Sequence, residues 1–358
     1  AKDNNRVVTR ANKSSKKVGI VTGGGSGHLP VFTGYVGKGF LDACAIGSVF
    51  ASPSVEQMVS AIKNADNGNG VLCIIGNYGG DVMNFEMACE MVEADGIKTK
   101  KVIVADDIAS ASESEKSKRR GIAGMIFVFK IAGACAETGA SLDDVFKTAT
   151  EANDNIRTLG VALSPCILPE AGKPTFEIND DEIEIGMGIH GEPGIKREKL
   201  RPANELVDDL YKRIMNDSKL KNNDNIAIMI NSLGATPLEE LYIVSKRSGR
   251  FAYRKKRRGI YDKSLGTLFF NNRSSNEDSV LFAILLKTLI INLLEIQNNI
   301  IPKIIMQKNN SASDKFSAQN WDIPFSLNIW VNRVFKFKEF INKLFYKSKL
   351  LVFIFFNC

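Results

Sequence analysis

Residues 17–28 read KVGIVTGGGSGH. Lys17-Val18-Gly19-Ile20-Val21-Thr22 is the short apolar run of a buried strand, and it leads straight into Gly23-Gly24-Gly25-Ser26-Gly27-His28. A strand feeding a glycine loop can set backbone N–H groups against an anion or a carbonyl oxygen. A nucleotide loop is the obvious alternative, but the string is neither GxxxxGKS/T nor spaced as GxGxxG. It ends in a histidine, and the chain holds only two histidines.

The same pattern recurs downstream. Val71-Leu72-Cys73-Ile74-Ile75 is a second buried strand, closed by Gly76-Asn77-Tyr78-Gly79-Gly80-Asp81. A helix over residues 82–94 follows, and Asp81 suits either its N-cap or a chemical role. Before this strand, Ser52-Pro53 reads as an N-cap with proline at the first helical position. After it, Lys101-Val102-Ile103-Val104 is a third strand. The polar loop up to Lys118-Arg119-Arg120 reads as exposed, and residues 121–139 as a buried helix too short and glycine-broken to span a membrane. Ser141 with Asp144 caps a further helix, predicted to reach Leu159 and close at Gly160. Strands alternating with helices in this way imply an α/β fold, a mostly parallel sheet with flanking helices. Ligands bind such sheets at the carboxyl ends of the strands, where the glycine loops fall.

From Cys166 the character changes. Thr175-Phe176-Glu177-Ile178, a turn at Asn179-Asp180-Asp181 and a strand over residues 182–189 predict a hairpin. That second strand runs into His190, within IGMGIHGEPG at residues 185–194. Glycines and Pro193 leave one imidazole at a strand end with little bulk around it. A helix over 203–215, a strand over 226–230 and a helix capped by Thr236-Pro237 complete the pattern. Residues before Lys16 read as a polar lead-in. The domain reading is 1–165 for a first α/β domain, its N-terminus truncated, and 166–247 for a second, incomplete one. Residues 248–358 form an atypical basic and apolar tail, read as frame-shifted or disordered: glycine vanishes after Gly266, and both tryptophans lie beyond it.

The net charge of +7 is concentrated late in the chain, so it does not indicate nucleic-acid binding. Lys287 interrupts the most apolar late stretch, which argues against a membrane span. Six cysteines, with no CxxC pair and no zinc spacing, fit reduced thiols in a cytoplasm and no metal site. The chain opens on Ala1 rather than Met, so preceding residues are expected.

Five segments in order, GGGSGHLP, GNYGGD, AGKPTFE, GMGIHGEPG and NSLGATPLEELY, give residues 6 to about 245 a specific resemblance to the K subunit, or K domain, of dihydroxyacetone kinases. The resemblance implies a two-domain protein, usually a homodimer, that holds a short-chain ketose as a hemiaminal on the histidine matching His190. The histidine matching His28 would hydrogen-bond the ketose, and the aspartate matching Asp81 would act as general base on the hydroxyl to be phosphorylated. Gly24, Gly25, Ser26 and Gly76 complete the expected substrate site. ATP and Mg²⁺ would sit on a partner L subunit, which nothing in residues 246–358 resembles.

Three departures bear on function. Many members of this family read KNYTGD where this chain reads GNYGGD, and loss of that lysine widens and neutralises one wall. A four-carbon ketose such as erythrulose is then an alternative to dihydroxyacetone. The family's N-terminal helical segment and its closing strands and helices are also missing. Relatives of the K subunit serve as ketose-sensing co-activators of a transcription factor, which is a competing reading, as is an inactive frame-shifted homologue.

Overall fold

The computed structural model describes residues 1–12, 16–28, 30–167, 171–218, 220, 226–232, 236–254, 257–262, 267–272 and 349–356. In the first half, β1 (Val7–Thr9), β2 (Gly19–Gly25), β3 (Ala43–Gly47), β4 (Val71–Gly76) and β5 (Thr99–Val104) form one sheet in the order β1-β3-β2-β4-β5. β3, β2, β4 and β5 run parallel, and β1 closes one edge antiparallel. β2, β3 and β4 are buried along their whole length, which is why their sequences are unbroken apolar and glycine runs. Alternate residues serve opposite faces. Val21, Cys73 and Ile75 pack on α1 (Val55–Ala65) and α2 (Gly79–Ala94), whereas Ile20, Leu72 and Ile74 pack on α3 (Met125–Ala136) and α4 (Leu142–Asp154).

The second sheet contains β6 (Ile156–Ala162), β7 (Glu182–Ile185), β8 (Lys196–Lys199), β9 (Ile226–Asn231), β10 (Arg257–Asp262), β11 (Thr267–Asn272) and β12 (Lys349–Phe356). Their order is β10-β11-β9-β12-β6-β7-β8. The neighbours β9, β12 and β6 pair in parallel, and the remaining pairings are antiparallel. Leu206, Val207, Leu210 and Ile214 of α5 (Ala203–Ser218), with Leu241 and Val244 of α6 (Leu238–Arg254), pack on Leu159, Val161, Ile183, Ile185, Ile228 and Ile230. Three strands of this sheet thus come from beyond residue 247. Apart from them and the end of α6, residues 248–358 lie outside the described residues, and the expectation of an atypical tail falls mostly there.

Several local expectations are corrected. The lead-in contains a strand, because Val7 finds a buried place against α1 and pairs with Ala45. α1 is capped by Ser54 rather than Ser52, through a reciprocal box with Gln57. α4 ends at Asp154, and Ile156–Ala162, read as the end of that helix, is a strand. Its β-branched Ile156, Thr158 and Val161 suit a strand, and Asn155 separates the two elements. The hairpin is formed by β7 with β8, not with residues 175–178. Its first strand stops at Ile185, because Gly186 turns into the left-handed region at φ 81°. The polar loop is exposed at residues 112–115, 117 and 118, as its sequence suggests, but its last two residues, Arg119 and Arg120, are not. Arg119 is fully buried on Asp217, and Arg120 is paired with Asp107. Among the described residues no helix is long and apolar enough to cross a membrane, and the five described cysteines are free thiols.

Candidate active site

The carboxyl ends of β2, β3 and β4 open on a cavity of about 220 Å³. β2 contributes Gly24 and Gly25, and the single turn after it, Ser26–His28, carries His28. The connection from β3 to α1 contributes Phe50, Ala51 and Ser52. β4 and α2 contribute Gly76, Tyr78 and Asp81, and α3 contributes Met125. The loop between β7 and β8 lays Ile189 and His190 across the opening. Gly25 is required by close approach: a Cβ there would lie 2.9 Å from the backbone nitrogens of Phe50 and Ala51.

Of the expected substrate site, the structure brings together Gly24, Gly25, His28, Gly76, Asp81 and His190. Ser26 is the exception. It does not line the cavity, and its backbone N–H donates to the Ser48 carbonyl at 3.1 Å.

The two histidines, 162 residues apart, meet with Nε2 of one 2.8 Å from Nε2 of the other. His190 is set by Glu192. Its backbone N–H donates to Glu192 Oε2 at 2.9 Å, and its Nδ1 lies 3.0 Å from Oε1. A carboxylate only accepts, so Nδ1 carries a proton, and in the neutral ring Nε2 keeps its lone pair. His28 must then donate Nε2–H to His190 Nε2. Burial, then the proximity of His190, pulls His28 down to about 3, so it is neutral at physiological pH. Burial pushes Glu192 up, but the hydrogen bonds from the His190 ring and N–H outweigh it and hold the carboxyl at about 2.

Aromatic rings fix both imidazoles. Phe50 stacks on His28 with centroids 4.7 Å apart, and Tyr78 meets His190 edge-on at 4.8 Å. Phe50 is the only non-glycine residue with positive φ among the described residues, at 52°. Such local strain is held where surrounding structure over-determines it, characteristically at functional sites.

Asp81 is not the cap of α2. The helix begins at Gly79 with Tyr78 at the N-cap position, which places Asp81 inside the first turn. Its Oδ1 is buried without a hydrogen-bond partner. Burial pushes its carboxyl up, against the opposing pull of the Ser52 hydroxyl and the His190 ring.

Sequence reasoning missed Glu192, Phe50, Ser52 and Tyr78. The available signal for Glu192 was a carboxylate two residues from the histidine inside a glycine-rich turn. For Phe50 and Tyr78 it was an aromatic just past a strand end.

Residues 1–270 match the Dak1 domain. Over 238 residues the chain is 51% identical to the PTS-dependent dihydroxyacetone kinase 1, dihydroxyacetone-binding subunit DhaK, of Listeria innocua, covering 66% of this chain and 72% of that one. It is 45% identical over 228 residues to the D-erythrulose kinase of Mycolicibacterium smegmatis, covering 64% of this chain and 39% of the relative. Among solved structures it resembles the dihydroxyacetone kinase operon co-activator Dha-DhaQ, with a TM-score of 0.65 and 34% identity over 69% of this chain and 76% of that one.

Proposed function

The chain belongs to the Dak1 domain family, and on that premise we propose that it is the substrate-binding subunit of a ketose kinase of the dihydroxyacetone kinase type. It holds a short-chain ketose as a hemiaminal on His190. The observation that carries this reading is the paired imidazoles, with the His190 proton drawn to Nδ1 by Glu192 and Nε2 left as a nucleophile. A ketone entering the cavity takes the place of His190 as acceptor of the His28 Nε2–H. His190 Nε2 then adds to the carbonyl carbon, and the C–N bond forms as the C=O π bond moves onto oxygen. The addition leaves one proton in excess on the ring and one lacking on the oxygen. The Nδ1 proton leaves by way of Glu192 and reaches the oxygen through solvent, so the adduct is a neutral hemiaminal and Glu192 ends as a carboxylate. Glycerol has no carbonyl and cannot be held this way. Asp81, with an unpartnered oxygen, takes the proton from the substrate hydroxyl that is phosphorylated.

The cavity does not fit a nucleotide and its Mg²⁺. Among the described residues, Asp81 is the only carboxylate lining it and no lysine or arginine does, whereas phosphoryl transfer needs a cationic clamp. We therefore assign ATP and Mg²⁺ to a partner L subunit. The family resemblance also supports a homodimer and a cytoplasmic location. The PTS-dependent relative favours a phosphotransferase system as the source of the phosphoryl group.

The similarity to an operon co-activator motivates a second reading, a ketose sensor that uses the same histidine chemistry. A sensor needs no general base. Adding a purified L subunit carrying ADP or ATP, its phosphoryl donor and a ketose separates the two: formation of ketose phosphate supports the kinase, and ketose binding without phosphorylation supports the sensor.

A further inference from the structure

Behind Glu192 lies a second device that bears on His190. Arg120 has its Nε 2.8 Å and its Nη2 2.7 Å from Asp107 Oδ2, a carboxylate whose side chain is 1% exposed. Nη2 also donates to the Gly186 carbonyl at 2.8 Å, at the point where β7 ends and the His190 loop begins. Nη1 faces Glu192 Oε2 at 3.9 Å. Gly188 keeps this approach open, because a Cβ there would collide with both Glu192 Oε2 and Arg120 Nη1. One guanidinium therefore serves a buried anchor, the hinge of the loop and the carboxylate that orients the imidazole. Such three-way geometry needs a planar fork, which a lysine ammonium lacks.

We propose that Arg120, anchored by Asp107, is a positioning residue that fixes the ring tautomer and orientation of His190 through Glu192. The proposal rests on the reading of His190 as the ketose-binding group and deepens it. His28, the Tyr78 ring and Asp81 also face His190, but of these groups only Glu192 is bonded to Nδ1. With Arg120 in place, Glu192 stays aligned on both the N–H and Nδ1, and Nε2 is held free of its proton. Without it, the carboxylate loses its neighbouring cation and the loop loses its tie at Gly186.

The test is nitrogen NMR of protein labelled at its two histidines, combined with ketose titration. Arg120→Met with Asp107→Asn removes both charges together, so neither is stranded in the interior. Arg120→Lys retains the charge and loses the fork, and is the variant read if the double variant does not fold. In the wild type, His190 should show a protonated Nδ1 and an unprotonated Nε2. In the variants the two signals should move toward each other as the tautomers mix. Ketose affinity should fall about ten- to a hundredfold, as when an outer partner of a ligating histidine is lost. Unchanged ring shifts in a folded variant overturn the proposal whatever the affinity does. A wild type that binds no ketose overturns the functional reading instead, while the ring shifts still decide the role of Arg120.

Discussion

His28 Nε2 lies 2.8 Å from His190 Nε2, so the nitrogen proposed to attack a ketone is covered by a hydrogen bond from the group proposed to hold the ketone oxygen. Entry of substrate exchanges one acceptor for another, and the donor on His28 is already in place. The contact also has a consequence for stability. His28 stays neutral in the folded chain down to about 3, whereas its ordinary value is 6.5. Between these limits the unfolded chain binds a proton that the folded chain does not, so stability falls as pH is lowered from 6.5. The slope approaches about 1.4 kcal/mol per pH unit for one such proton. Glu192, held at about 2 against an ordinary 4.5, adds a further loss only below pH 4.5. Asp107, pushed up to about 6 by burial, acts in the opposite sense between 3.8 and 6. Urea unfolding of wild type and His28→Phe at a series of pH values cancels the Asp107 contribution. The wild-type-minus-variant difference should fall from pH 6.5 to 4.5, and a flat difference contradicts the assignment.

Asp81→Asn should leave ketose binding within about threefold and abolish turnover once the partner subunit is supplied. The variant keeps a polar group of the same size in the first turn of α2 and removes the base. Steady-state assay of the reconstituted system measures it. Unchanged turnover would return Asp81 to a structural role in the helix.

Gly76 sets the size of one wall. A Cβ there would meet Met125 Cε at 3.2 Å, the Gly121 carbonyl at 3.4 Å and Tyr78 Cδ2 at 3.4 Å, so a side chain is admitted only if Met125 gives way. With glycine in place the specificity constant should be higher for erythrulose than for dihydroxyacetone. One extra hydroxymethyl group is expected to contribute about 1–3 kcal/mol, roughly ten- to two-hundredfold. Gly76→Lys should narrow or reverse the ratio. Equal specificity for both ketoses in the wild type would remove Gly76 as the selector.

Asp217 ties α5 to the loop that carries Arg120. It accepts from Arg119, which is fully buried, and from Arg157, which is 7% exposed. Removing the shared carboxylate strands two guanidinium groups out of water. Asp217→Ala should destabilise the protein by about 3–5 kcal/mol, the cost of breaking a buried pair from one side. A loss below about 1 kcal/mol in urea unfolding, as for a surface pair, would show that solvent reaches both arginines.

Much of this architecture is legible in the sequence where one residue type has a single explanation. Val71-Leu72-Cys73-Ile74-Ile75 is too short for a helix and too apolar for a surface, and the glycines after it mark a strand end. Ile156–Ala162 was illegible because it follows a well-capped helix with only Asn155 between them. Arg119 and Arg120 look like a solvated charge pair until Asp217 and Asp107, 98 and 13 residues away, are brought to them by the fold. The site divides in the same way. The histidines stand out by rarity, whereas Glu192 is one of many acidic residues and gains meaning only from its 3.0 Å contact with Nδ1.

The central claim is that His190 holds the ketose, and calorimetric titration of wild type and His190→Ala with dihydroxyacetone and erythrulose tests it most directly. The wild type should bind at least one of the two, and His190→Ala should bind neither, because the nitrogen that forms the covalent bond is gone. Undiminished binding by His190→Ala would contradict the account.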